Sequence, residues 1–282
     1  MNLYDYNTIN KILTAHGFTF SKALGQNFLI DPDICPEMAR HLAADEKTGV
    51  IEIGPGIGVL TKELCKTAGK VVAIELDKRL FPVLAQTLGG FDNLEIVEGD
   101  VLKLDLNELI KEKFSGMESV KVCANLPYYI TSPVIMKLLE SKLPIDEIVV
   151  MVQKEAAERF CAEIGSRESG AVTVAVNYYA EAEMLFEVSR NCFYPSPKID
   201  SAVMRLTLRD KPPVEVKDEQ RFFAVVKAAF AQRRKTALNC LSGGLGISKE
   251  RVLSALNTIG IDERSRAESF TLEEFAKLSE II

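Results

Sequence analysis

Asn125-Leu126-Pro127-Tyr128-Tyr129 holds the groups that an aromatic amine needs in order to act as a nucleophile. An exocyclic base amine is a poor nucleophile because its lone pair is delocalised into the ring. The side-chain carbonyl of Asn125 and the backbone carbonyl of Leu126 could accept its two N–H groups and favour the pyramidal, reactive amine. Pro127 removes a competing N–H and fixes the turn. Tyr128 offers a π-face on which a flipped adenine can stack. Such a site needs no metal and no strong general base when the electrophile is already activated, since the proton can leave afterwards. An isolated Asn-x-Pro-Tyr is more often a strand-exit turn followed by core tyrosines, so its place in the chain has to decide.

That place is one of four related positions. Gly54, Glu75, Asp100 and Asn125 are separated by 21, 25 and 25 residues, about one βα unit each, and each closes a short apolar run. In an open parallel sheet, ligands gather outside the C-terminal ends of the strands. Glu52-Ile53-Gly54-Pro55-Gly56-Ile57-Gly58 reads as a strand, a tight turn and the start of a helix, whose unpaired amides attract the polar end of a nucleotide. Glu75 ends the second strand, where an acid accepts both ribose hydroxyls of an adenosine. Asp100, in Glu98-Gly99-Asp100, could accept the exocyclic amine of an adenine ring or could be an ordinary turn residue. Gly-x-Gly-x-x-Gly, the dinucleotide pattern, would need glycine where Val59 stands. Gly54-x-Gly56-x-Gly58, with Glu52 just before it, instead fits a methionine-sulfonium nucleotide, with NAD as the runner-up.

The elements that would position these residues follow from hydrophobic patterning. Strands are expected at 50–53, 71–76, 94–98, 120–124 and 147–152, all β-branched apolar runs suited to burial on both faces. Helices are expected between them at 59–67, 78–88, 105–113 and 132–141, which builds a parallel sheet by right-handed crossovers. An amphipathic helix is expected over 5–17, and a second to about Ala43 with Asp31 as its cap and Pro32 as its first residue. Two Val-, Tyr- and Thr-rich runs, 171–180 and 201–208, read as an antiparallel pair added at the sheet edge. Arg209 to Glu215, with Pro212 and Pro213, is the best linker, and helices follow at 218–231, 233–242, 248–258 and 271–282. The expected fold class is α/β, a Rossmann-like domain over residues 1–208 with a small all-helical domain over 209–282.

Composition narrows the function classes. At 47% hydrophobic and 26% charged residues, the 282-residue chain is that of an ordinary soluble globular protein. It has no run long enough to span a membrane and a polar first segment unlike a signal peptide, so a cytoplasmic location is expected. Six cysteines, scattered singly, read as reduced thiols, and neither they nor the two histidines have metal-site spacing. The net charge of −6 opposes a globally basic nucleic-acid binder, yet Arg205 to Arg251 contain eleven Lys/Arg against five Asp/Glu. Arg233-Arg234-Lys235 within that local excess points to phosphate contacts, which position a nucleic acid without specifying the base.

Several motifs together resemble the bacterial small-subunit ribosomal RNA adenine dimethyltransferases. They are Lys22-Ala23-Leu24-Gly25-Gln26-Asn27-Phe28-Leu29, the glycine turn, Asn125-Leu126-Pro127-Tyr128, Gln153-Lys154-Glu155, Phe193-Tyr194-Pro195-Ser196-Pro197-Lys198-Ile199-Asp200 and Phe230-Ala231-Gln232-Arg233-Arg234-Lys235-Thr236. The resemblance runs from about Gly17 into the helical tail. It implies a Rossmann-like methyltransferase domain and S-adenosyl-L-methionine as donor, with no metal. It implies two adjacent adenosines in a hairpin near the 3′ end of 16S rRNA as acceptors, each methylated twice in a maturing small subunit. By position it makes Asn27, Leu29, Gly54, Gly56, Glu75, Asp100 and Asn125 the cofactor contacts. It makes Asn125, Leu126, Tyr128 and Phe193 the catalytic set, with Tyr128 and Phe193 sandwiching the base, and Arg233, Arg234 and Lys235 RNA contacts on a monomer. Ser169-Gly170-Ala171-Val172 departs from the family pattern of a Tyr-Gly pair and a basic residue. Alternatives are a large-subunit rRNA adenine methyltransferase conferring antibiotic resistance, and a non-catalytic RNA-binding assembly factor with the same fold.

Overall fold

A computed structural model describes residues 1–19 and 26–282 of the chain. Lys22 to Gly25 of the first motif lie outside the described residues. The chain divides into two compact units: residues 1–157 with 183–208, and residues 158–182 with 209–282.

The first unit is built on parallel strands that alternate with helices. In chain order these are α1 (Tyr6–Ala15), β1 (Phe28–Leu29), α2 (Ile34–Leu42), β2 (Thr48–Ile53), α3 (Val59–Leu64), β3 (Lys70–Glu75), α4 (Phe81–Leu88) and β4 (Leu94–Glu98). Then come α5 (Leu106–Lys113), β5 (Ser119–Asn125), α6 (Thr131–Glu140), β6 (Glu147–Gln153) and α7 (Lys154–Phe160). After α8 (Ala171–Tyr179) the chain adds β7 (Ala180–Val188), β8 (Phe193–Tyr194) and β9 (Ser201–Leu208).

Seven strands form one sheet in the order β4-β3-β2-β5-β6-β9-β7. β3 and β5 flank β2 in parallel, with Ile53 opposite Ile74 and Glu52 opposite Cys123. β2 is buried at every position, as a central strand covered on both faces must be. β9 runs antiparallel to β6, with Gln153 opposite Ser201. A separate antiparallel pair, β1 with β8, sets Leu29 opposite Phe193 and Phe28 opposite Tyr194. The core beneath the sheet gathers Met38 and Leu42 from α2, Leu60 and Leu64 from α3, and Val83 and Leu84 from α4. α1 joins it through Ile9, Ile12 and Leu13, and its first turn is capped by Asp5, whose carboxylate accepts the Thr8 N–H at 2.8 Å.

The second unit contains α8 and four later helices, α9 (Glu219–Ala229), α10 (Ala237–Leu245), α11 (Lys249–Thr258) and α12 (Leu272–Ile281). Phe222, Phe270 and Phe275 are buried in its core against Leu241, Val252 and Leu256. Asp218, Thr236, Ser248 and Thr271 each accept a backbone N–H at a helix start, the capping expected of these residue types.

Three local expectations change. Residues 171–179 are helical, not a strand. Val174 and Tyr178 bury into the same core as Phe222 and Val225, and the Thr173 hydroxyl accepts the Gly170 N–H at 3.0 Å while donating to the Arg159 carbonyl at 2.7 Å. The strand beside β9 is the following run, Ala180–Val188. This is also why residues 158–182 group with 209–282, so that the chain passes between units before residue 208 as well as after it. The second helix starts at Ile34, because Asp31 Oδ1 takes the Asp33 N–H at 3.0 Å in a turn of its own. Residues 233–236 precede α10, which then runs through Ser242-Gly243-Gly244 to a left-handed stop at Gly246.

Candidate active site

The turn after β2 needs glycine for two distinct reasons. Gly54 has φ +70°, and a Cβ placed there would find nothing within 4 Å, so its backbone is open to a close-approaching ligand. Gly56 has φ +60°, and a Cβ there would stand 3.2 Å from the Phe28 ring. The register of β2, β3 and β4 sets the ends of these strands side by side, with Glu75 opposite Glu98. Gly54, Glu75 and Asp100 accordingly face one cavity, which Asn27, Leu29 and Gly56 also line.

Glu75 is buried, and burial raises its pKa, while N–H groups of Asp77 and Gly56 pull it back by favouring the anion. The Asp77 N–H donates to Glu75 Oε1 at 2.7 Å. Asp77 is itself fixed by Arg79, whose guanidinium holds its carboxyl below the usual range, and Gln26 Nε2 donates to it at 2.9 Å. A two-residue step past the strand end thus ties the described start of the first motif to the acid. Asp100 accepts the Leu102 N–H at 3.0 Å with Oδ1, and its other oxygen lies 3.6 Å from Lys103.

On the other side of β2, β5 ends at Asn125. The Asn125 carboxamide has no hydrogen-bond partner among the described residues. The Leu126 N–H is used by the Met151 carbonyl at 3.0 Å, and its side chain is buried. Pro127 cannot donate, and its carbonyl accepts the Ile130 N–H at 3.1 Å, which closes one 3₁₀ turn over Tyr128–Ile130. That turn aims Tyr128 into the cavity, where its hydroxyl pairs with Ser201 Oγ at 2.8 Å across to the start of β9. Partial burial raises the Tyr128 pKa and the Ser201 contact opposes it, so the phenol stays protonated and the ring is held from its far end. Phe193, buried in the core and held opposite Leu29, lines the same cavity.

The cavity therefore gathers all ten residues that the sequence assigns to cofactor and catalysis. Sequence reasoning missed the Ser201 and Asp77 supports, which carry no local signal; Glu52, which the sequence sets just before the glycine turn, lines the cavity as well. Its lining includes the carboxyls of Glu52, Glu75 and Asp100, and among the described residues no Lys, Arg or His. A pyrophosphate would meet three acids and, among the described residues, no counter-charge there. Three acids and the open backbone at Gly54 suit a ligand that carries a positive charge and hydrogen-bond donors.

Arg233, Arg234 and Lys235 belong to the second unit, where all three are exposed. Arg233 and Lys235 line a surface hollow of that unit together with Arg159, Arg266 and the buried Ser169.

Residues 17–282 match the model of the ribosomal RNA adenine dimethylase family. The chain belongs to this family. It is 52% identical over 272 residues to the ribosomal RNA small subunit methyltransferase A of Geobacillus thermodenitrificans, covering 95% of this chain and 93% of that relative. It is 50% identical over 273 residues to the protein of the same name from Bacillus licheniformis, covering 96% and 94%. Among solved structures, the chain is similar to a dimethyladenosine transferase from Plasmodium falciparum, with 26% identity, TM-score 0.71 and coverage of 89% and 95%. It is also similar to the 23S rRNA methyltransferase ErmE, with 28% identity, TM-score 0.65 and coverage of 90% and 98%. Fold, family and enzyme class agree with the α/β methyltransferase expected above.

Proposed function

We propose that the chain transfers methyl groups from S-adenosyl-L-methionine to the exocyclic amines of two adjacent adenosines in a hairpin near the 3′ end of 16S rRNA, in the maturing small subunit. One observation carries the reading: Asn125-Leu126-Pro127-Tyr128 opens onto the cavity whose far wall holds Glu75 and Asp100. Donor-binding acids and an amine-accepting motif thus share one chamber. The names borne by relatives about half identical over almost the whole chain favour the small subunit as substrate.

The bound donor supplies an activated methyl group, so the protein need only present the amine. A flipped adenine stacks on Tyr128, with Phe193 as the opposing wall. The Asn125 side-chain carbonyl and the Leu126 carbonyl accept its two N–H groups, which turns the nitrogen lone pair out of the ring. With the donor bound, Asn125 and Leu126 would hold the amine toward the activated methyl that it supplies, and the surplus proton on nitrogen would pass to solvent. Flipping is paid for by stacking and by contacts to the RNA backbone, for which Arg233, Arg234 and Lys235 are suited.

The test is labelled methyl transfer to small subunits lacking the dimethylation, set beside large-subunit RNA. Label in the small subunit supports the reading, label in the large-subunit RNA favours the resistance enzyme, and no label in either sinks the enzyme. Asn125→Ala is expected to abolish transfer and leave subunit binding largely intact. Lost RNA binding with transfer preserved would show that Asn125 has a different role.

A further inference from the structure

Two large apolar side chains on the wall of the active-site cavity are left to solvent, Leu76 at 50% exposed and Tyr129 at 55%. Leu76 directly follows Glu75 and so stands beside the ribose acid. Tyr129 lies elsewhere, in the turn that follows β5. In the strand order β4-β3-β2-β5, the end of β5 is three strand spacings, about 14 Å, from the end of β4 that leads to Asp100. Tyr129 therefore belongs to the acceptor half of the chamber.

The 3₁₀ turn over Tyr128–Ile130 separates the two tyrosines. With three residues per turn, successive side chains leave it about 120° apart. Tyr128 is the inner one, tethered through its hydroxyl to Ser201 Oγ at 2.8 Å. Tyr129 is turned to the rim, and its side chain makes no hydrogen bond, ion pair or ring contact among the described residues. A ring of this size gains most from being covered by another flat, apolar face.

The acceptor brings such a face. Drawing one adenine out of a stack leaves the base next to it uncovered on that side. In the proposed substrate that base is the second adenine, one phosphodiester away. The Cα of Tyr129 is about 3.8 Å from that of Tyr128, so a rim ring there is within a nucleotide's reach of the pocket. Every base has a π-face, so a protein ring can replace the lost neighbour. We infer that Tyr129 is a substrate-positioning residue that stacks on the adenine next to the one held between Tyr128 and Phe193, and so keeps the second acceptor at the rim while the first is methylated. This placement of the second base rests on the paired-adenosine reading above. RNA has a direction, so the rim ring meets the neighbour from one side only and assists one of the two adenosines when that one is in the pocket.

Single-turnover methyl transfer to small subunits lacking the dimethylation, read separately at the two adenosines, tests this with Tyr129→Ala, Tyr129→Leu and Tyr129→Phe. Each protein is crossed with subunits in which one or the other adenosine is replaced by uridine, whose smaller ring stacks less. With both adenosines present, Tyr129→Ala should slow transfer at one of them by about fivefold to a hundredfold, the range of one base–aromatic stack. Tyr129→Leu should be as slow, and Tyr129→Phe should keep close to the unaltered rate. In the unaltered chain, uridine at one of the two positions should slow transfer to the remaining adenosine. In Tyr129→Ala the same replacement should bring no further loss, because both changes remove one contact. Affinity for S-adenosylhomocysteine, the donor without its methyl group, should be the same in all of them. The ring is exposed and unpaired, so the variants should unfold at the unaltered urea midpoint. Tyr129→Ala or Tyr129→Leu at the unaltered rate overturns the inference, and so do additive losses in the crossed series. Weaker S-adenosylhomocysteine binding by Tyr129→Ala sets the ring against the donor and overturns it equally. None of these results touches the proposed reaction, whereas no transfer by the unaltered chain removes both.

Discussion

Glu52, 1% exposed in β2 and repelled by Glu75, makes the stability of the chain depend on pH. In the unfolded chain its carboxyl ionises in the ordinary range near 4.5, whereas the folded chain holds the proton up to about 8. Between those values the folded state binds a proton that the unfolded state has lost, so stability falls as pH rises. The slope is at most about 1.4 kcal/mol per pH unit for one group, with no contribution from it below 4.5 and a constant penalty above 8. Glu75, raised in the same direction, adds to the slope. Glu52→Gln removes only the first share. Urea midpoints for both proteins at pH 5.5, 6.5 and 7.5 should diverge, the variant gaining on the unaltered chain as pH increases. Curves that stay parallel would mean that Glu52 is ionised in the folded chain as it is in the unfolded one.

At the scale of elements, the β2–α3 turn separates two uses of glycine that look identical in sequence. Gly58 has φ +88°, and a Cβ there would lie 2.8 Å from a Leu88 methyl. Gly58→Ala therefore combines left-handed strain with overpacking against α4 and should cost about 2–4 kcal/mol of stability. Gly54→Ala meets no neighbour, so only the strain at φ +70° remains, about 1–2 kcal/mol. Its methyl stands on the cavity side, and donor affinity should drop more than stability does. Denaturation and S-adenosylhomocysteine binding measured on both variants check the contrast; equal stability losses would refute it. The parallel strands and their terminal residues were legible because a strand buried on both faces is written as an unbroken β-branched run. The segment 171–179 was misread on the same grounds, since Val and Tyr favour strands until the core of Phe222 and Val225 claims them for a helix. The signal for the real edge strand was the alternation of Glu181 and Glu183 with half-buried and buried neighbours, a period of two that apolar counting overlooks. Ser201 behind Tyr128 and Asp77 behind Glu75 had no sequence signal at all, because only the register of β6 with β9 and the turn after β3 bring them into reach.

For the molecule as a whole, the question is how a chain of net charge −6 engages a polyanion. Arg205 to Arg251 hold a local charge of +6, so the remainder carries −12, and non-specific attraction of RNA to the whole surface is weak. Affinity then depends on a few placed cations. Arg233, Arg234 and Lys235 are exposed beside the start of α10, and the one side-chain hydrogen bond they make to described residues is a long 3.5 Å contact from Arg233 to the Arg167 carbonyl. Their removal costs little packing, and Arg233→Ala/Arg234→Ala/Lys235→Ala should change stability by no more than about 0.5 kcal/mol. If each neutralises one phosphate, each contributes about 0.7–0.9 to the slope of log affinity against log salt. The triple variant should therefore lose about 2 to 3 from that slope and bind small subunits far more weakly at low salt. Its affinity for S-adenosylhomocysteine should not change. Filter binding across a series of salt concentrations reads the slope directly. An unchanged slope with unchanged affinity would place the RNA on another part of the surface. A parallel loss of affinity with no change in slope would mean that these side chains hold RNA through bases or sugars, not phosphates.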